Sequence, residues 1–407
     1  MLIEEEFKAI YLNYRIREIV PFLKKLTLKD KKEVVALLKK HINKEWGHNN
    51  ISVLAALACC KTKNEYEKLS PGYYSMPVDL IDELFESYIP DWIGESHSFL
   101  REFNYLKVLE WEHKGYLRPD NEIIASLLSS SGISGSSSEE ILFTYPATLD
   151  SHIWFLFEYE SDVTSCYNDR NWKEILKKLA KDHKIDRSGL LRSCLKAVNF
   201  NLSKEHNTWF LELFAYLEPT SKEILEWQDE LFMIFHSTQH SLFPGTLKIV
   251  NQVTTDKAFK AEDFLHAASS LITLPIKNIV NALILTLEKI AKDNNAYHEE
   301  ICLLLVPVFL NKDKTLQTKG AKIIARYGNP ESEKIQEELK LYTGSLLSDA
   351  GALLEKLIAE KGEAESKEKK NYEPALWHLS EPVLPIETID DFIFFAPQGF
   401  HTGKTYY

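Results

Sequence analysis

Apolar residues recur at helical spacing from the first segments of the chain. Between Pro21 and Ile42 they fall at Phe22, Leu23 and Leu26, then at Val34, Val35, Leu37, Leu38 and Ile42, the three-and-four spacing of a buried helix face. Thr27, with Asp30 three residues on, marks a helix start between the two runs, so two helices are predicted. "SMPVDLIDELFESYI" predicts another, with Ser75 as its cap, Pro77 pre-set for the first turn and Pro90 as its stop. "HSFLREFNYLKVLEWEHKGYLRP" reads as one further helix ending at Gly115, where a missing side chain admits a left-handed cap.

The pattern lapses at "SSSGISGSSSEE", Ser129 to Glu140, whose serines and glycines bury too little apolar surface to offset the entropy of ordering them. A flexible loop is expected there. Helical periodicity then tightens through "NWKEILKKLAKDHKI", "DRSGLLRSCLKAVNFNL", "SKEHNTWFLELFAYLEP" and "TSKEILEWQDELFMIF". Thr220 and Glu223 form a Thr-x-x-Glu capping box, and Ile224, Leu225, Gln228, Leu231, Phe232 and Phe235 make one nearly apolar stripe.

Past Pro244 a degenerate repeat is visible. "TLKIVNQVTTD" (246–256) matches "TLEKIAKD" (286–293), and "GAKIIARYGNPE" (320–331) falls in register after it. A second apolar helix follows each, over 261–272, 297–310 and 331–359. Two helices in each unit of roughly 34 to 40 residues is the period of HEAT- or armadillo-like solenoids, whose units bury their apolar faces on one another. Beyond Ala359 a charged run and four prolines predict a linker and an extended tail, with "FIFFA" (392–396) as a short strand or apolar plug. The ending "HTGKTYY" reads as cut, the expectation for a piece of a longer chain.

Length and composition sharpen this picture. A chain of 407 residues exceeds one compact core, so several domains or an elongated repeat array is expected. Sixty acidic against 48 basic residues give a net charge of −12, which opposes attraction to phosphate backbones unless the bases gather on one surface, and no basic cluster stands out. The five cysteines, Cys59, Cys60, Cys166, Cys194 and Cys302, show no C-x-x-C spacing and read as reduced thiols. The N-terminus lacks the pattern of a signal peptide, and the longest apolar run, "ICLLLVPVFL" (301–310), is too short to span a membrane. A cytoplasmic location is the expectation.

Candidate chemistry is sparse. His236 and His240 stand four apart and would share a helix face, as two zinc ligands do. No glutamate follows His236, as H-E-x-x-H requires, and Pro244-Gly245 closes the helix, so His236 is placed in a last turn and His240 in a loop. "QGFHTGKT" (398–405) ends like a P-loop, but its glycines are one position too close and no helix follows. Nor does the 129–140 segment, rich in glycine, carry the Gly-Lys-Ser/Thr end of a phosphate cradle. His298, Glu299 and Glu300 suit the first turn of a helix, where carboxylates meet the positive end of the dipole. The tryptophans are dispersed, as packing residues are.

Three stretches of the middle segment carry a family likeness: Trp154 to Glu158, Ile185 to Leu190, and Leu217 to Glu223. Over roughly Leu149 to Gly328 the chain resembles a large bacterial family of uncharacterised helical-repeat proteins with Trp-x-Leu-Phe-Glu, Leu-Asp-Arg-x-x-Leu and Leu-x-Pro-Thr-x-x-Glu elements; Ile185 stands where leucine is commoner. The resemblance implies no catalytic residues. It implies association with SWIM zinc-finger proteins and with MoxR-type ATPases and their von Willebrand A-domain partners, and so a multi-protein system.

The expected architecture is all-α: a less regular helical region (1–128), the flexible loop (129–140), HEAT-like repeats (141–359), and a linker with extended tail (360–407). The expected role is a non-catalytic scaffold without cofactor or metal, binding protein partners with a basic surface. Two other readings stay open: a nucleic-acid-binding protein like the HEAT-like DNA glycosylases, and a metal-dependent hydrolase using His236 and His240.

Overall fold

The computed structural model describes residues 3–41, 49–69, 77–130, 137–165, 169–200 and 202–358, and within them every regular element is helical. The chain divides into two units, Met1–Ala359 and Glu360–Tyr407. The second, including the proposed strand and the Gly-Lys-Thr ending, lies outside the described residues, as do Ser75, Cys166 and residues 131–136.

The N-terminal region comprises α1 (Ile3–Leu12), α2 (Ile16–Leu23), α3 (Leu28–His41), α4 (Asn50–Cys59), α5 (Lys63–Lys68), α6 (Val78–Phe85), α7 (His97–Leu100), α8 (Tyr105–His113), α9 (Asn121–Ser130), α10 (Ser137–Phe143) and α11 (Ile153–Phe155). Its centre is α4, in which every residue from Ile51 to Cys59 is buried, as a run apolar but for Ser52 requires. The start at Thr27 is a reciprocal cap with Asp in place of Glu: the Thr27 amide donates to Asp30 Oδ2 at 2.9 Å and the Asp30 amide to Thr27 Oγ1 at 3.3 Å.

Residues 97–113, expected as one helix, form two. Asn104 caps α8 by accepting from the Lys107 amide at 2.8 Å, a stronger local signal than the surrounding apolar spacing. The helix ends as expected at Gly115, with φ +74°. Gly94 answers a different demand, because a Cβ there would lie 2.2 Å from the Arg118 carbonyl oxygen.

The Ser/Gly segment is helical at both ends, Ser129 and Ser130 finishing α9 and Ser137–Glu140 opening α10, so its expected bounds are too wide. Ser129 also joins the regions on either side. Its hydroxyl accepts from the Asp162 amide at 2.9 Å and its carbonyl from Trp172 Nε1 at 3.2 Å, and one apolar core runs continuously past this point.

Beyond it come α12 (Asp169–Lys181), α13 (Arg187–Asn199), α14 (Lys204–Tyr216), α15 (Ser221–Glu226), α16 (Gln228–Met233), α17 (Phe243–Val250), α18 (Ala261–Ala268), α19 (Lys277–Asp293), α20 (His298–Leu305), α21 (Lys314–Tyr327), α22 (Glu333–Leu341) and α23 (Ser348–Ile358). Their contacts define two rows. In the first, α12, α14, α17, α19, α21 and α23 each touch the next; in the second, α13, α16, α18, α20 and α22 do the same. The matched repeat segments fall on α17, α19 and α21, all in the first row.

Second-row helices are shorter than their apolar runs. α16, α18 and α20 pass into 3-10 turns at Ile234–His236, Ser269–Thr273 and Val306–Leu310. The stripe expected to be one helix breaks at Trp227, between α15 and α16, and residues 331–359 split into α22 and α23.

Neighbouring units are tied by polar groups as well as by the core. Buried Gln317 donates to the carbonyls of Phe309, Asn311 and Ser345 and accepts from the Leu347 amide at 2.8 Å. Gln228 makes the equivalent tie, donating to Leu225 and Ala258 and accepting from the Lys260 amide. Lys277 and Lys314 open first-row helices, where a cation opposes the dipole, and each is offset by an aspartate of the next helix, Asp313 at 2.7 Å and Asp349 at 2.8 Å.

Candidate functional site

Two of the stretches that carry the family likeness, Ile185 to Leu190 and Leu217 to Glu223, meet in space. Asp186 caps α13, accepting from the Ser188 and Gly189 amides, which places Arg187 at the start of the helix facing Glu223. Arg187 Nε and Nη2 reach Glu223 Oε1 and Oε2 at 2.7 and 3.2 Å, and Nη2 also donates to the Leu217 carbonyl at 3.0 Å. Glu223 closes the predicted capping box with Thr220 at the same time.

The guanidinium is the main reason Glu223 is held below the usual carboxylate range. A depressed folded value contributes stability above the unfolded carboxylate pKa, and that stability is lost as pH falls through the folded one. In the first element, Phe157 packs on Phe210 with ring centroids 5.0 Å apart. Arg187 and Glu223 thus join α13 to α15, and Phe157 packs against α14.

A Ser-His-Glu set assembles among the described residues. His206 Nδ1 lies 2.8 Å from Ser203 Oγ and 2.6 Å from Glu160 Oε2, while Nε2 is 2.8 Å from the Ser161 carbonyl. A relay needs nucleophile and carboxylate on opposite ring nitrogens, and here both crowd Nδ1. Ser203 is in addition the N-cap of α14, so the set is a structural tie.

A second buried trio joins Tyr105 Oη to Thr148 Oγ1 and His152 Nδ1, each at 2.8 Å, fastening α8 to a π-turn at Thr148–His152. Burial lowers the His152 pKa and raises that of the Tyr105 phenol, so neither is charged near neutrality. Burial likewise pushes Cys59, Cys60 and Cys302 up to about 12, far from thiolate reactivity.

His236 ends one 3-10 turn and His240 begins another, with Ser237 extended between them. The two imidazoles thus share no helix face. Among the described residues no three or more His, Cys, Asp and Glu side chains gather as metal ligands would. His298, Glu299 and Glu300 occupy the first turn of α20 as expected.

Charge, which looked diffuse in the sequence, alternates from α16 to α22, although second-row α13 carries Arg187, Arg192 and Lys196 and first-row α14 carries Glu205 and Glu212. α17, α19 and α21 carry Lys248, Lys277, Lys289, Lys292, Lys314, Lys319, Lys322 and Arg326 against Glu288 and Asp293. α16, α18, α20 and α22 carry Asp229, Glu230, Glu262, Asp263, Glu299, Glu300, Glu333, Glu337 and Glu338 against Lys334 and Lys340. From α16 to α22 acids and bases alternate helix by helix, so a running sum along the chain cancels them there.

Burial first, then the neighbouring Glu262 carboxylate, raises Glu300 above the ordinary range. Glu262, Asp263, Glu300 and Glu337 have no ion-pair partner among the described residues.

With the motif contacts placed, the sequence comparison follows. Residues 1–278 match the model of a family described as a domain of unknown function, DUF6493. The chain belongs to that family. The DUF6493 match starts at residue 1, well before the stretch that carries the visible likeness, and ends as α19 begins, so α20 to α23 lie beyond it. No curated protein and no solved structure matches the chain. No helix among the described residues is long and apolar enough to cross a membrane.

Proposed function

We propose that this DUF6493 member is a non-catalytic, HEAT-like helical-repeat scaffold whose second-row face binds a protein partner with a basic surface. The observation that carries the reading is the row of carboxylates on α16, α18, α20 and α22, several of them without a cation to pair with. Unpaired like charges repel one another in the free protein, so a basic partner that relieves the repulsion is favoured over neutral competitors. The two rows of helices support the repeat assignment, since each unit touches chiefly its neighbours.

The polyanion alternative is weaker. Several first-row cations are already engaged within the protein, Lys277 and Lys314 by aspartates, Lys289 by the Asn251 carbonyl and Lys319 by Asn281. Few remain for phosphates, and the whole chain carries −12. A bacterial multi-protein system and a cytoplasmic location remain parts of the proposal.

Its test is affinity capture from the native host with the intact chain and with the variant Glu262→Lys, Asp263→Lys, Glu337→Lys. A partner that the intact chain retains, the variant loses and about 0.5 M salt releases is the expected result. Equal retention by both proteins would overturn the reading.

A further inference from the structure

The first row carries a groove that the second-row reading leaves unused. It lies between α14 and α17, has a volume of about 480 Å³, and is floored by Leu211, Ala215, Pro219, Leu242 and Ile249. Its origin is the turn after α14. Glu218 adopts φ +50°, which is unusual for a residue with a side chain, and with Pro219 it turns the chain away from the row into α15. Leu211 of α14 packs close to Gly245 of α17, and because the chain turns off after α14 the groove lies between the two helices beside that contact.

The charges on its rim are unequal in availability. Glu212 is held by Lys173 Nζ at 2.9 Å and Glu218 by Lys177 Nζ at 3.1 Å, so both carboxylates are compensated. Lys248 lines the groove, is exposed, and has no ion-pair partner among the described residues. Lys289 stands beside the rim, its ammonium on the carbonyl of Asn251 next to rim residue Gln252. An apolar trough with its anions neutralised and its cation free is complementary to an apolar side chain flanked by carboxylates.

We propose that this groove receives an acidic segment of a partner protein, with an apolar side chain over Leu211 and Ile249 and an adjacent carboxylate on Lys248. The site rests on the scaffold reading only in supposing that the protein binds proteins. It uses the other row and a partner of opposite charge, so either can fail alone.

Selection of random peptides displayed on phage against the intact chain tests the proposal without presupposing the partner. Enriched peptides are expected to place Asp or Glu beside Leu, Ile or Phe. The best of them, fluorescein-labelled and followed by anisotropy, should bind at least about tenfold more weakly to Lys248→Glu and show no binding to Ala215→Arg. Lys248 and Ala215 are both exposed, and unchanged thermal melting of the variants would exclude misfolding. Glu262→Lys should leave peptide binding intact. Absence of enrichment, enrichment of basic or uncharged peptides, or binding indifferent to Lys248→Glu would each overturn the assignment.

Discussion

Around Trp111, in the N-terminal region, Phe103, Phe85 and Phe99 stand with ring centroids 4.7, 5.3 and 6.2 Å away, and the indole donates to Asp82 at 2.6 Å. Around Gln317, in the rows, a single amide joins three carbonyls and an amide of neighbouring loops. The first arrangement gathers helices that are unlike one another into one knot, and each ring touches several of them. The second ties one unit to the next and could recur at any unit. Irregular helices need a shared aromatic centre, whereas stacked pairs need only a reliable joint.

Trp111→Ala breaks the knot and should have the largest effect, about 3–5 kcal/mol. Hydrogen exchange should speed up across α6 to α9 together, and acceleration confined to α8 would show that the region is not one cooperative body. Gln317→Leu removes the joint and leaves three carbonyls and one amide unpaired, for a loss of about 2–4 kcal/mol. Because units touch chiefly their neighbours, exchange should rise in α21 to α23 and stay unchanged in α1 to α9; a global change would contradict the contrast.

Glu300→Gln is the smallest perturbation and changes sign with pH. A carboxyl whose folded pKa is raised contributes stability below its unfolded value and loses it as pH rises through the folded one. The variant should therefore melt slightly higher than the parent at pH 7, by a few tenths of a kcal/mol, and gain nothing near pH 4, where the parent carboxyl already holds its proton. A gain of equal size at both pH values would show that ionisation of Glu300, disfavoured by burial first and by Glu262 second, is not the cause.

Much of this was legible from the sequence where one local signal dominated. Thr220 with Glu223, Thr27 with Asp30 and Gly115 each fix a helix end through their own backbone chemistry, and each is found where expected. The failures came where two signals competed. At Asn104 a cap divides what apolar spacing joins, and after α20 the chain tightens to a 3-10 turn although apolar residues continue to Leu310. The pairing of Arg187 with Glu223 could not be read from spacing, because the two residues stand on different helices, α13 and α15. The alternation of charge was present from α16 to α22 but needed the rows before acids and bases could be separated.

The 3-10 endings of α16, α18 and α20 have a mechanical consequence. A 3-10 turn climbs about 2.0 Å per residue against 1.5 Å in an α-helix, with poorer hydrogen bonds. These tight turns end three successive second-row helices, whereas α19 and α21 in the first row finish without them. The last turn of each of these second-row helices is therefore held by weaker hydrogen bonds than the ends of α19 and α21, and local opening begins there first.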